Sequence, residues 1–206
     1  MCGITGYVSR KPIDIERAKL IMPKMVNTIN HRGPDECGFH YDKYAALGMT
    51  RLKIIDMNDG SQPFYSKDKN ICVIFNGEIY NFKILRKKLE KDGFQFNSDC
   101  DTEVIVYLYQ KYGIKFVNHL NGMFAIAIWD SSQKQLLLVR DRLGIKPLYY
   151  TLENGNDVYF ASETIALKAS GVNLEIYPRA IDLYLAYRSV PAPYSIYKDL
   201  KKFMPG

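Results

Sequence analysis

What most constrains the fold of this chain is the order of its short apolar runs and helical periodicities: strands, then two consecutive helices, then strands again. Gly3 to Ser9 reads as a strand, after which Ala18, Ile21, Met22, Met25 and Ile29 recur at helical spacing. Pro23 lies inside that repeat, and because proline removes one backbone hydrogen bond the helix is expected to bend or to divide there. Runs at Ala45 to Met49, Leu52 to Ile55 and Ile71 to Phe75 predict further strands. The next helix carries Phe82, Leu85 and Leu89 on one face, with Asn81 as its cap and Gly93 as its stop. Another carries Val104, Ile105, Leu108, Tyr109 and Tyr112 and ends at Gly113. Four more strands are predicted at Met123 to Trp129, Gln135 to Arg140, Pro147 to Thr151 and Val158 to Ser162. Ala180 to Tyr187 predicts a last helix, Pro191-Ala192-Pro193 breaks the pattern, and Tyr197 to Met204 is a short basic amphipathic piece. Such an order suits an α+β architecture of stacked antiparallel sheets covered by helices.

Composition narrows what this unit can do. With 206 residues the chain has room for one ordinary domain, and 47% hydrophobic with 24% charged residues is the balance of a globular protein. Its apolar runs, such as Met123 to Trp129, fall far short of the roughly 20 residues a membrane helix needs. The formal charge of +6 is spread along the chain without a basic stripe or zinc-finger spacing, which argues against nucleic acid as a partner. No basic region leads into an apolar stretch at the N-terminus, so a cytoplasmic location is expected. Cys2, Cys37, Cys72 and Cys100 are too scattered for a metal site or a disulfide framework, and three of them read as buried fillers.

Cys2 is different because of its position. Removal of the initiator Met1 would leave a thiol and a free α-amine on one residue. These groups have intrinsic pKa values within about one unit of each other, so the amine can act as base for its own side chain. The residue would then be a self-contained nucleophile and base.

The company Cys2 keeps gives that chemistry a context. Cys2-Gly3-Ile4-Thr5-Gly6-Tyr7, His31-Arg32-Gly33-Pro34-Asp35, Arg51-Leu52-Lys53-Ile54-Ile55-Asp56, Asn76-Gly77-Glu78-Ile79-Tyr80-Asn81 and Asp101-Thr102-Glu103-Val104-Ile105 follow in order. Gly122-Met123-Phe124-Ala125, Arg140 to Tyr150 and Phe160-Ala161-Ser162-Glu163 come after them. Together they resemble the N-terminal-nucleophile (class II) glutamine amidotransferases, most closely the domain that opens glutamine-hydrolysing asparagine synthetases. The resemblance implies a four-layer αββα sandwich of two antiparallel sheets, the N-terminal nucleophile hydrolase fold. It also implies hydrolysis of free L-glutamine to glutamate and ammonia.

Residue roles follow from that resemblance. Cys2 would be the nucleophile, and Asn76 with the Gly77 N–H would hold the oxyanion, although Asn-Gly after an apolar run also reads as a type I′ turn. Arg51 would bind the α-carboxylate of glutamine through its planar guanidinium, its alternative being a surface ion pair. Glu78 and Asp101 would hold the α-ammonium, while Asp101 at a helix start also reads as a simple cap. Asp99 is passed over because only Asp101 directly precedes Thr102-Glu103-Val104. His31 is read as a structural neighbour rather than a base, with Arg32 and Gly33 in support. The basic side chain expected just before Arg51 is replaced by Met49-Thr50.

The domain is expected over residues 2–190, with 191–206 starting a linker into a C-terminal synthetase absent from this chain. No cofactor or metal is expected here. ATP and magnesium would belong to that synthetase, since the chain has no phosphate-binding glycine loop. The ammonia would be destined for amidation of aspartate, with the synthetase in cis as partner and a homodimer allowed. Two alternatives stay open: a non-catalytic glutamine-sensing or assembly domain of the same fold, and an amidotransferase half serving a cell-surface sugar or β-lactam-type synthetase.

Overall fold

The computed structural model describes residues 1–53, 60–153, 155 and 157–206. Among these residues, ten strands and five α-helices follow in the order β1 (Gly3–Ser9), α1 (Ile15–Thr28), β2 (Glu36–Tyr41), β3 (Ala45–Arg51), β4 (Phe64–Tyr65), β5 (Ile71–Ile79), α2 (Phe82–Lys91), α3 (Asp101–Tyr112), β6 (Gly122–Asp130), β7 (Gln135–Arg140), β8 (Tyr149–Glu153), β9 (Asp157–Ala161), α4 (Thr164–Ala169), α5 (Pro178–Tyr187) and β10 (Leu200–Lys202). They form a six-stranded sheet, β10-β8-β9-β1-β3-β2, and a four-stranded sheet, β4-β5-β6-β7. All their pairings are antiparallel.

The two-residue period of the strands sorts side chains into layers. Ile4, Val8, Leu47 and Met49 from one sheet meet Cys72, Ile74, Ala125 and Trp129 from the other in a central core. The opposite faces of the same strands turn outward. Tyr7 and Ala46 pack beneath Ala18, Met22 and Met25 of α1 and Leu167 of α4. Val73, Phe75 and Ile126 pack beneath Leu85 and Leu89 of α2 and Ile105 and Leu108 of α3. The result is the expected αββα sandwich.

Local chemistry explains where elements begin and end. The Asp14 side chain accepts the N–H of Arg17 at 3.1 Å and caps α1. That helix continues unbroken through Pro23, whose ring lies on the exposed face, where water can satisfy the carbonyl that proline leaves without a donor. Gly93 closes α2 with a φ of 92°, and the Phe94 N–H returns to the Leu89 carbonyl.

Several elements differ from expectation. The chain leaves β3 at Arg51 and has no regular structure at Leu52 and Lys53, while Ile54 and Ile55 lie outside the described residues. Asn76-Gly77 makes no turn. β5 runs straight through it, pairing Asn76 with Ala125 and Gly77 with Phe124, because its partner β6 arrives only after α2 and α3. The basic piece near the end supplies β10, which pairs with β8 and buries Leu200 completely. Cys37 is exposed on β2 rather than a filler, whereas Cys72 and Cys100 are buried.

Candidate active site

Residue parity brings the predicted site together before any side-chain contact is considered. Cys2 shares the register of Ile4, Arg51 that of Met49, and Asn76 that of Ile74, so all three project from the inner faces of the two sheets. They meet at one end of the sandwich. An open cleft there is lined by Cys2, Arg51, Asn76, Gly77, Glu78 and Asp101, the residues to which the sequence resemblance assigns catalytic or glutamine-binding roles. Met1, Gln62, Thr102 and Lys146 line it too.

The wall from the six-stranded sheet is built around two ion pairs, with Arg32 Nη2 left without a hydrogen-bond partner among the described residues. Arg32 donates from Nε to the Cys2 carbonyl at 3.0 Å and from Nη1 to Glu163 Oε1 at 2.7 Å. His31 bonds the same carboxylate oxygen at 3.1 Å, so it serves the loop rather than the thiol. Burial would raise the Glu163 carboxyl, but the hydrogen bonds from Arg32 and His31 hold it below its usual range. Gly33 lets this loop cross β3, since a Cβ there would lie 2.6 Å from the Arg51 carbonyl carbon. Arg51 is only 4% exposed, and its Nη1 pairs with Glu36 Oε2 at 3.2 Å. Thr50, standing where a basic side chain was expected, instead donates to the Ile29 carbonyl. The Cys2 sulfur lies 4.0 Å from the Leu52 carbonyl oxygen.

The opposite wall is polar and less compensated. Asn76 is 1% exposed, yet neither its Nδ2 nor its Oδ1 has a hydrogen-bond partner among the described residues. Leaving a buried amide unpaired costs about 1–3 kcal/mol, so such a group needs an explanation. Gly77 beside it tolerates no side chain, because a Cβ would sit 2.2 Å from the Met123 carbonyl oxygen.

Asp101 opens α3, and its Oδ2 accepts the Ile79 N–H at 3.0 Å. Burial pushes its carboxyl up to about 6, with the nearby Glu78 charge adding to the rise and the Ile79 N–H opposing it. Asp99 points elsewhere: it is exposed and paired with Arg86 at 2.6 Å.

Two buried members of the cleft carry no residue-level signal in the sequence. Gln62 accepts the Phe75 N–H at 2.8 Å and donates to Thr102 Oγ1 at 3.2 Å, tying β5 to α3 behind Asn76. Lys146 is 5% exposed, and its Nζ lies 3.3 Å from the Met1 sulfur. The buried Cys72 and Cys100 thiols are pushed up by desolvation, which leaves them poor nucleophiles. Among the described residues no helix is long and apolar enough to cross a membrane.

The chain is similar to known proteins in sequence and in fold. Asparagine synthetase [glutamine-hydrolyzing] 1 of Bacillus subtilis is 41% identical over 208 residues, covering all of this chain and 33% of that protein. A second such synthetase from the same organism is 45% identical over 168 residues, covering 81% of this chain and 22% of its own length. The chain therefore spans a third or less of these relatives. A solved glutamine phosphoribosylpyrophosphate amidotransferase from B. subtilis, complexed with ADP and GMP, shares the fold with a TM-score of 0.69 at 22% identity, over 86% of this chain and 46% of that one. The family profile of the glutamine amidotransferase domain matches residues 1–206. From its first strand to its last, the chain belongs to the glutamine amidotransferase domain family.

Proposed function

We propose that this chain hydrolyses free L-glutamine to glutamate and ammonia, with Cys2 as an N-terminal nucleophile after removal of Met1. The observation that carries the reading is the Asn76 amide, buried without a hydrogen-bond partner among the described residues on the cleft wall opposite Cys2. An amide held in that state has a donor free to meet the oxygen of a ligand. Arg51 offers a planar fork to an α-carboxylate, and Glu78 with Asp101 offers negative charge to an α-ammonium. Recognition at both ends selects free glutamine over glutamine within a peptide, because a peptide would leave these groups unpaired.

In this mechanism the freed α-amine takes the thiol proton and sulfur attacks the side-chain amide carbon. Asn76 and the Gly77 N–H hold the oxyanion that forms. The amine then returns its proton to the departing nitrogen, ammonia leaves, and a thioester remains. Water, deprotonated by the same amine, releases glutamate and regenerates the thiol.

The names of the relatives and the share of their length this chain spans favour a following synthetase domain in cis. That domain would use ATP and magnesium to activate aspartate for the ammonia, in the cytoplasm. This half needs no cofactor for the steps above. A coupled assay for ammonia tests the reading: free glutamine should be turned over by the Met1-free chain and N-acetylglutamine should not. Equal turnover of both would remove the proposed roles of Glu78 and Asp101.

A further inference from the structure

Lys146 shares the cleft with Cys2, Asn76 and Glu78, yet the steps above leave it without a task. Its ammonium is buried, and its one side-chain partner among the described residues is the thioether of Met1. A thioether is a weak acceptor, so this cation is poorly compensated where it stands.

Its position is nevertheless firmly set. The Asp141 carboxylate accepts the N–H groups of Phe124, Leu143, Ile145 and Lys146 at 2.9–3.2 Å. Arg140 donates to the carbonyls of Lys146 and Gly144 at 2.7 and 2.6 Å. The Asp141 N–H also bonds the Phe124 carbonyl, and Phe124 pairs with Gly77. Lys146 is thereby fixed to the strand pair that carries Asn76 and Gly77. Excision of Met1, on which this inference rests, takes away the thioether and leaves the ammonium in the cleft it shares with Cys2.

We propose that Lys146 is a positioning residue for that N-terminus: its charge disfavours a second positive charge on the Cys2 α-nitrogen and so keeps the amine in the neutral form that accepts the thiol proton. Among the described residues, the other charges around the cleft are committed or lie on the far side. Arg32 is paired with Glu163, and Arg51 with Glu36. Glu78 on β5 and Asp101 on α3 act in the opposite sense, and the α-ammonium of bound glutamine offsets them. Lys146 remains as the cation beside the base when substrate is present.

The test is an NMR pH titration of the Met1-free chain carrying [13Cα]cysteine, following the Cys2 signal, beside the pH profile of kcat/KM for glutamine. Lys146→Met and Lys146→Gln should each raise the amine midpoint by about one pH unit, and Lys146→Arg should keep it in place. The acid limb of kcat/KM should move with the midpoint, so that the neutral variants regain turnover at alkaline pH, which a merely structural defect would not allow. An unchanged midpoint in both neutral variants overturns the proposal, even if glutaminase activity is present. A shifted midpoint in chains that release no ammonia would uphold Lys146 and reject the glutaminase reading.

Discussion

The two walls of the cleft are built on different principles. On the six-stranded side the charged side chains are held in ion pairs, Arg32 with Glu163 and Arg51 with Glu36, and Arg32 also bonds the Cys2 carbonyl, although its Nη2 has no partner among the described residues. On the four-stranded side the Asn76 amide has no partner among the described residues, and burial with Glu78 nearby raises the Asp101 carboxyl to about 6. One wall fixes the backbone of Cys2, the proposed nucleophile, at little cost to the fold. The other holds polar groups in a state the unliganded protein does not favour, and this is how a site stores complementarity to a ligand or transition state. The contrast predicts that changes on the four-stranded side will separate activity from stability.

The largest effect is expected at Asn76. Asn76→Ala removes the proposed oxyanion donor and should lower kcat by about 10²–10³, as such losses typically do. Thermal stability should stay level or rise, since an unpaired buried amide disappears with it. A kcat within a few-fold of the parent would end the oxyanion role.

Next comes Arg51 on the paired wall. Arg51→Lys keeps the charge but loses the fork, and should raise KM for glutamine by roughly 10- to 100-fold with a smaller change in kcat. It should also cost stability, because the partly buried Glu36 loses a well-placed partner. An unchanged KM would assign Arg51 to the fold alone.

The smallest effect, and the sharpest for the comparison, is at Asp101. Its folded pKa lies above the unfolded value, so the folded state binds more protons across the interval from about 4 to 6. Its contribution to stability is therefore full at low pH and is lost as pH rises through about 6. Asp101→Asn should thus stabilise the protein at pH 7.5 by on the order of 2 kcal/mol while weakening glutamine binding. For the parent, KM should climb as pH falls below about 6, when the carboxylate that meets the ammonium is protonated. Destabilisation by Asp101→Asn at pH 7.5, measured by thermal melts, would contradict this assignment.

Much of this was legible in the sequence, and the exceptions have physical causes. The alternation through Gly3 to Ser9 and Ala45 to Met49 set the faces of β1 and β3, and extending it by one step places Cys2 and Arg51 together. Asn76-Gly77 misleads as a local signal because nine residues of pairing with β6 outweigh one turn-forming dipeptide. β2 was missed because it is an edge strand whose residues, from Glu36 to Tyr41, include none that is fully buried. Gln62 and Lys146 reach the cleft through contacts between segments far apart in the chain, which periodicity does not encode.

The central claim is that Cys2 acts as an N-terminal residue, and intact mass combined with a glutaminase assay tests it most directly. The chain that retains Met1 should release no ammonia from glutamine, and the same chain after aminopeptidase treatment should become active with the mass of one methionine lost. Cys2→Ser should abolish turnover in both forms. Full activity in a chain whose mass still includes Met1 would contradict the account.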